Sequence, residues 1–298
     1  MIPPEPDLLV VCSIRRWVAD DLRAGAGDRY RVLWDMGLDV PDVGGAETVA
    51  WWAPAEHAAR LLRASVCLDL VAPGPAWLAR VPEALTGRPV WAGRLADIAD
   101  APAEGWSKPA EAKVPGLPAA WRSTEELLAA AGAASFPLDG WVQVSPVHLE
   151  LVEEHRAFVL VGMSDDGSVV VATSPYLRAD GSTYELGWED DPSFDHRGAR
   201  SFAQDVVDEM ARDQPAAYTL DVGKTATGRW VVVEANPAWC SGTYGADLQA
   251  AADCVVASSL TPSRDAPFAW APDPYLLGFA ERQPLLRRRA HVGAPDRS

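Results

Sequence analysis

Three side chains whose oxygen atoms could bind a metal ion lie at the ends of two apolar segments late in the chain. Asp221 follows the segment AYTL, and Glu234 and Asn236 follow the segment VVV with one residue between them. Residues i and i+2 of a strand face the same side, and a hairpin between the two segments would bring Asp221 to them. Two carboxylates and an amide oxygen then form a hard-oxygen site suited to Mg²⁺. Taken alone, the same residues also suit a strand-end turn cap or a solvated strand edge.

Lysine is scarce in this chain. Of 26 basic residues only three are lysines, namely Lys108, Lys113 and Lys224, in a composition rich in Arg, Ala and Pro. Where exposed positions carry Arg, the remaining lysines are candidates for placing a compact ammonium against phosphate oxygens. Lys108 in the segment WSKP would lie on a short strand and project into a cleft. The other interpretation is a surface lysine before a proline turn.

A further group of candidates lies in the segment VSPVHLELVEEHRAFVLVGM. Its first residues, 144–147, lead from a strand into a linker, and their backbone N–H and C=O groups are expected to be free to bind the edge of an adenine. Glu154 and Arg156 follow, two residues apart, so they share one face of the next strand.

Hydrophobic periodicity predicts the elements that position these residues. The first part reads as an α/β unit with a parallel sheet: a strand over 7–14, a helix through Trp17–Leu22, a strand near Arg31–Trp34 and a helical pattern over 47–64. Residues 141–176 predict antiparallel strands with a hairpin turn at Asp165-Asp166-Gly167. The other predicted elements are helices over 77–85, 123–132, 199–213 and 246–260, short strands over 88–92 and 106–113, and the two late strands that carry the oxygen ligands.

The order of these motifs resembles the ATP-grasp superfamily, and most of all a divergent clade of bacterial and phage-associated ATP-grasp domains. The motifs are a KP strand, a V-x-V-S-x-x-V linker, an E-x-R-x-F strand, a helix, a YxLDVG strand and a VVVExNPAWxSGxYG strand. The similarity covers residues 73–260. It implies an α/β and α+β protein: an N-terminal α/β lobe over 1–72, an ATP-grasp domain over 73–260 whose two α+β lobes sandwich ATP, and a Pro- and Arg-rich tail over 261–298.

The resemblance also implies roles for residues of this sequence. Lys108 would contact the ATP phosphates, and Arg156 would clamp a phosphate or a substrate carboxylate. The segment from Ser241 and Gly242 to Tyr244 would offer backbone N–H groups to an acyl phosphate or to the acceptor. The remaining implied contacts are Val144, Ser145 and Val147 to the adenine, Glu154 near the ribose, and Asp221, Glu234 and Asn236 to one or two Mg²⁺ ions that bridge the β- and γ-phosphates.

The chain departs from the family pattern in two places. ATP-grasp enzymes commonly use two phosphate-facing basic residues, and residues 1–107 contain no lysine. Arg88 in GRPVW or Lys113 is expected to take the second role, and the sequence leaves that choice open. The stretch after Lys108 also lacks the usual glycine-rich lid.

Charge and composition exclude several classes of protein. The 298 residues include 42 acidic and 26 basic side chains, a formal charge of −16. A chain this acidic, with no basic face, is a poor candidate for binding nucleic acid or an anionic membrane surface. No GxGxxG or GxxxxGK[ST] loop follows the first strand, which disfavours a dinucleotide site and a P-loop.

Cysteine usage and the N-terminus favour a cytoplasmic protein. No CxxC pair occurs, which argues against a zinc ribbon and against a disulfide framework. The N-terminus lacks the basic region of a signal peptide, and no stretch approaches the ~18 apolar residues of a membrane span. Cys240 has no histidine near it in sequence, so it is interpreted as a packed side chain and not as a nucleophile.

The resemblance to ATP-grasp proteins implies an ATP-dependent carboxylate–amine ligase that forms an amide or peptide bond through an acyl phosphate. Its expected ligands are ATP, Mg²⁺, and a small-molecule or peptide carboxylate and amine, and a homodimer is compatible with the family. Two alternatives stay open: a small-molecule phosphotransferase on the same fold, and a nucleotide-binding module without turnover.

Overall fold

A computed structural model of the protein describes residues 5–37, 39–164, 167–178, 180–185, 187–260 and 268–285. Within these ranges the strands are β1 (Leu8–Cys12), β2 (Arg31–Asp35), β3 (Val49–Trp52), β4 (Trp91–Arg94), β5 (Glu104–Pro109), β6 (Ala120–Ser123), β7 (Trp141–Ser145), β8 (Leu151–Ser164), β9 (Gly167–Arg178), β10 (Ala217–Thr225) and β11 (Trp230–Asn236). The α-helices are α1 (Arg16–Ala26), α2 (Ala55–Arg63), α3 (Trp77–Arg80), α4 (Glu83–Thr86), α5 (Thr124–Ala133), α6 (His196–Glu209), α7 (Leu248–Ser259) and α8 (Pro274–Arg282). Short 3₁₀ helices span Leu95–Asp100, Trp188–Asp190 and Ala238–Cys240.

The N-terminal lobe is built on a parallel sheet of order β2–β1–β3. Strand β1, LLVVC, is buried along its whole length, as expected of a strand covered on both faces. The helical pattern predicted over 47–64 was wrong for its first part, where residues 49–52 form β3. The reason is local: VAWW is β-branched and aromatic, and Pro54 supplies the N-cap of α2, so the helix begins only at Ala55.

The second sheet is antiparallel, with the order β4–β7–β5–β6. Helix α5 follows β6 and begins with a capping box in which Ser123 and Glu126 bond reciprocally. The helix predicted over 77–85 is instead two short helices, α3 and α4. They separate at Val81, which is extended because a residue before proline is disfavoured in the α region.

The third sheet is antiparallel, with the order β11–β10–β8–β9. Its residues alternate in direction: Tyr218, Leu220 and Val222 of β10 pack into a core shared with α6. The residues between them, including Asp221, face the other side. The predicted turn between β8 and β9 falls partly on Asp165 and Asp166, which lie outside the described residues.

One parallel and two antiparallel sheets confirm the predicted class, an α/β unit followed by two α+β units. Helix α8 packs against α2. The basic run Arg287–Arg289 of the predicted tail lies outside the described residues. Across the part of the chain that the structure describes, no helix has the length and apolarity required to cross a membrane.

Candidate active site

Side chains from the second and third sheets meet across a cleft. A recess in this cleft is lined from the second sheet by Lys108, Ala110 and Gln143, from the α3 region by Gly74, Trp77 and Leu78, and from β11 by Glu234, Ala235 and Asn236. Because the lining residues come from separate stretches of the chain, only the folded protein assembles it.

The three oxygen-bearing residues singled out from the sequence come together on one face of the third sheet. Strands β10 and β11 pair in a register that sets Asp221 opposite Glu234. The amide nitrogen of Asn236 donates to Asp221 Oδ2 at 3.1 Å and to Glu234 Oε1 at 2.9 Å. The predicted hairpin is therefore present, and it gathers two carboxylates and one amide.

Arg156 is tied to the same cluster through β8, which sets it opposite Asp221. Its guanidinium donates from Nε to Asp221 Oδ1 at 2.8 Å and from Nη2 to Asp221 Oδ2 at 2.7 Å. Arg156 is 7% exposed and Asp221 is fully buried. Burial lowers the pKa of Arg156, but the Asp221 carboxylate outweighs it, so the net shift is upward and the guanidinium stays charged.

Lys108 reaches across the cleft from β5 and donates from Nζ to Glu234 Oε2. Burial by itself would raise the pKa of Glu234, yet the Lys108 ammonium and the Asn236 amide lower it to about 2. Glu234 is therefore an ionised carboxylate with a protein cation already on it.

Glu154 lies on the same strand and the same face as Arg156, as the sequence predicts. Its Oε2 accepts a hydrogen bond from the Tyr176 hydroxyl. Burial raises the pKa of Glu154 to about 7, and the nearby Asp221 and Glu234 carboxylates add to the rise. Two glutamates of one site thus differ in pKa because only Glu234 accepts a hydrogen bond from the Lys108 ammonium.

The two candidates for the second phosphate-binding cation occupy different places. The Arg88 guanidinium donates from Nη1 to the carbonyls of Thr86 and Val232, both at 3.0 Å, and from Nη2 to that of Val233 at 3.2 Å. Burial lowers the pKa of Arg88 to about 10. Lys113 is exposed, with no hydrogen bond or ion pair to any described residue. Arg88 is thus already hydrogen-bonded to the backbone of β11, while the Lys113 ammonium has no such partner among the described residues.

The expected adenine-binding residues differ in what they expose. The Val144 side chain is buried in the core that the second sheet shares with α5 and α8. The Ser145 hydroxyl donates to the Val147 carbonyl at 2.9 Å and accepts from its N–H at 3.3 Å. The backbone groups of Val147, which the sequence predicted to be free, are therefore engaged by Ser145.

The segment after β11 is also only partly open. Ser241 is buried: its N–H donates to the Ala238 carbonyl at 3.2 Å, and its hydroxyl donates to Pro237 at 2.8 Å. The Gly242 N–H has no partner among the described residues. The segment therefore offers Gly242 and not Ser241 as a donor. Beside it the Tyr244 ring lies under Arg156, 5.0 Å from the guanidinium carbon, and stacks on Tyr176.

Sequence reasoning missed Gln143 and Tyr176. Gln143 is the polar residue of WVQVS whose alternation with buried valines points it to the cleft, and this signal could have found it. Tyr176 has no such signal, because only the β8–β9 register brings it to Glu154. Cys240 is half-buried and packs against the core beside β1, and burial raises the pKa of its thiol to about 12.

Comparisons with known proteins identify the family. The chain is similar to N5-carboxyaminoimidazole synthetase from Staphylococcus aureus complexed with ADP, with a TM-score of 0.50 and 10% identity over 86% of this chain and 78% of that one. It is similar to an ADP complex of N5-carboxyaminoimidazole ribonucleotide synthetase, with a TM-score of 0.50 and 12% identity over 88% of this chain and 81% of that one. At these identities the likeness shows the fold alone.

The sequence comparisons identify the family. No curated protein sequence matches. A protein-family model described as an ATP-grasp domain, the second family of its clade, matches residues 85–254, more than half of the chain, and the chain therefore belongs to this family of ATP-grasp domains.

Proposed function

We propose that this protein is an ATP-dependent carboxylate–amine ligase. The observation that carries the proposal is the cluster of Asp221, Glu234 and Asn236, which faces Lys108 across the cleft of an ATP-grasp chain. Phosphoryl transfer depends on positioning and on neutralising charge, and this cluster supplies groups for both.

The donor set fits Mg²⁺. Asp221 and Glu234 offer hard carboxylate oxygens, and Asn236 offers an amide oxygen once its amide turns. Among the described residues no group of three or more His, Cys, Asp or Glu is placed to hold a metal, so phosphate oxygens and water would complete the coordination. Bound there, Mg²⁺ would neutralise charge on the phosphates.

In the proposed reaction a substrate carboxylate oxygen attacks the γ-phosphorus of ATP, which forms an acyl phosphate and releases ADP. An amine then attacks the acyl carbon, the C–N bond forms, and the C–O bond to phosphate breaks. The amine loses its proton to water or to the departing phosphate. The Lys108 ammonium binds the phosphates during the transfer, and Glu154 is assigned to the neighbourhood of the ribose.

Arg156 can act only with the donors that Asp221 leaves free. Its Nε and one Nη2 hydrogen are bonded to Asp221, which leaves Nη1 and the second Nη2 hydrogen for a phosphate or a carboxylate oxygen. Because Asp221 and the rings of Tyr176 and Tyr244 hold the guanidinium, those donors are fixed in direction. The open N–H of Gly242 is assigned to the acyl phosphate or to the acceptor.

The proposal includes a cytoplasmic location, which four cysteines without a disulfide support, and it is compatible with a homodimer.

The test is calorimetric titration of ATP into the wild-type protein and Glu234→Ala, with Mg²⁺ and with EDTA. We expect micromolar binding that requires Mg²⁺ and is lost in Glu234→Ala. Glu209→Ala, an exposed position on α6, is the control and should bind as the wild type does. Absence of nucleotide binding by the wild type would refute the proposal.

A screen of carboxylates and amines for ADP release then separates the reactions. Ligation yields ADP only when a carboxylate and an amine are both present. Hydroxylamine can take the place of the amine, because it traps the acyl phosphate. An acid-stable phosphorylated alcohol would identify a phosphotransferase instead.

A further inference from the structure

The recess in the cleft contains an acceptor without a donor. Gln143 is 8% exposed, and its Oε1 has no hydrogen-bond partner among the described residues. Its Nε2 donates to the Pro75 carbonyl at 3.0 Å. Because a carbonyl can only accept, this bond fixes the orientation of the amide and directs Oε1 away from Pro75. A buried acceptor without a partner is unfavourable, so the site indicates that a donor arrives in another state of the protein.

A flexible donor lies beside this acceptor, namely Lys108. Strands β5 and β7 pair with Lys108 directly opposite Gln143, so the two side chains lie side by side on one face of the second sheet. Both line the recess together with Glu234 and Asn236. A lysine ammonium has three N–H donors on a four-carbon stem, so it can change partner without movement of the backbone.

Lys108 occupies the position that the proposed function needs vacant. Its ammonium is on Glu234 Oε2, and the Asn236 amide nitrogen is on Glu234 Oε1, so both oxygens of that carboxylate carry a protein donor. A metal cation and the Lys108 ammonium therefore compete for Glu234 Oε2, because like charges repel at contact distance.

We propose that Gln143 is a positioning residue that receives the Lys108 ammonium, and this proposal rests on the proposed ligase function. When the magnesium–nucleotide complex enters the cleft, Lys108 leaves Glu234, donates one hydrogen bond to Gln143 Oε1, and turns its remaining donors to the phosphates. Gln143 thereby holds Lys108 in the position that binds phosphate, and the Glu234 carboxylate is released for metal coordination.

A donor from the nucleotide is the competing explanation for the open acceptor. Phosphate oxygens at neutral pH only accept, and an acceptor facing an acceptor repels. The recess is lined by the residues assigned to phosphate and metal, so adenine and ribose, which carry the donors of ATP, are assigned elsewhere. The competing explanation predicts that Gln143 acts on the ligand even in the absence of Lys108.

The test is a double-mutant cycle on the affinity for ATP in saturating Mg²⁺. The four proteins are wild type, Gln143→Met, Lys108→Met and the double variant. We expect Gln143→Met to weaken binding roughly tenfold, the usual scale for a hydrogen bond to a charged group. In the Lys108→Met background the same change should alter affinity less than about twofold. Gln214→Met, which removes another buried glutamine that does not line the recess, should leave nucleotide affinity unchanged.

A second measurement does not depend on the stability of a Gln143 variant. The chain has five glutamines, so selective ¹⁵N labelling gives few side-chain amide signals. The Gln143 amide signal should shift when the wild type binds ATP with Mg²⁺, and it should not shift in Lys108→Met at saturating ligand. An equal affinity loss in both backgrounds, or the same shift without Lys108, overturns this inference. Failure of the wild type to bind ATP with Mg²⁺ would instead overturn the proposed function.

Discussion

Replacing Arg156 with methionine should expose how strongly the buried Arg156–Asp221 pair stabilises the fold. The substitution keeps the length of the stem and removes both hydrogen bonds to Asp221, at 2.8 and 2.7 Å. Asp221 is then left fully buried with the Asn236 amide as its remaining donor. Removing one partner of a buried ion pair costs about 3–5 kcal/mol, because the other charge remains without compensation.

The corresponding shift in melting temperature follows from chain length. An unfolding entropy of about 2.1 cal/mol/K per residue amounts to about 0.6 kcal/mol/K for a chain of this size, so Arg156→Met should lower Tm by about 5–8 K. Burial raises the pKa of Asp221, and the unpaired carboxyl can take a proton to escape the cost. The loss should therefore be larger at pH 8 than at pH 5.

The assay is calorimetric melting in EDTA, and the structure offers a matched control. Arg80 and Asp213 form the same two-bond geometry at the surface, where their side chains are 44% and 40% exposed. Arg80→Met should cost less than about 1 kcal/mol, because water screens that pair. The double variant Arg156→Met/Asp221→Asn should recover part of the lost stability. Equal Tm losses for Arg156→Met and Arg80→Met would refute the reasoning.

Two further predictions concern other groups of the cleft. Burial raises the pKa of Glu154 to about 7 from an ordinary value of 4.5, so the folded protein binds more protons than the unfolded chain between these values, and the free energy of unfolding falls as pH rises through that window. Glu154→Gln should reduce this fall by up to about 3 kcal/mol between pH 5 and pH 8. Glu111 titrates in the same window, so the variant is compared with the wild type at both pH values. An unchanged pH slope would contradict the prediction. Burial raises the pKa of the Cys240 thiol to about 12, so Cys240→Ala should leave the number of rapidly reacting thiols in folded protein at pH 8 unchanged, and loss of a fast thiol by titration with a chromogenic disulfide would show that Cys240 is reactive.

The sequence predicted the carboxylate cluster because its geometry is local. Glu234 and Asn236 are fixed by strand periodicity, and Asp221 joins them through a hairpin between neighbouring strands. The partners of these residues were beyond sequence reasoning for a physical reason. The Lys108–Glu234 contact joins residues 126 positions apart in sequence, on different sheets, and depends on how the lobes pack.

The predictions that the structure contradicts also have local or long-range causes. Residues 49–52 were read with the helix that follows them, because aromatic and alanine residues suit either period in a short window. The backbone of Val147 was expected to be free, yet a hydroxyl two residues away satisfies it, and serine side chains do this wherever the turn allows. For Arg88 the sequence supplied a cation, but only the fold shows that the carbonyls of β11 engage it.

Helix α7 has a consequence for how the protein can be divided. One side of it, including Ala252 and Val255, packs with Leu9 and Val11 of the N-terminal sheet. Its other side, including Cys254, packs with Phe158 of the third sheet. A fragment that begins at residue 73 would keep this helix but lose the apolar surface that covers half of it. We therefore expect such a truncation to be insoluble, and we expect the lobes of the intact chain to melt in a single transition.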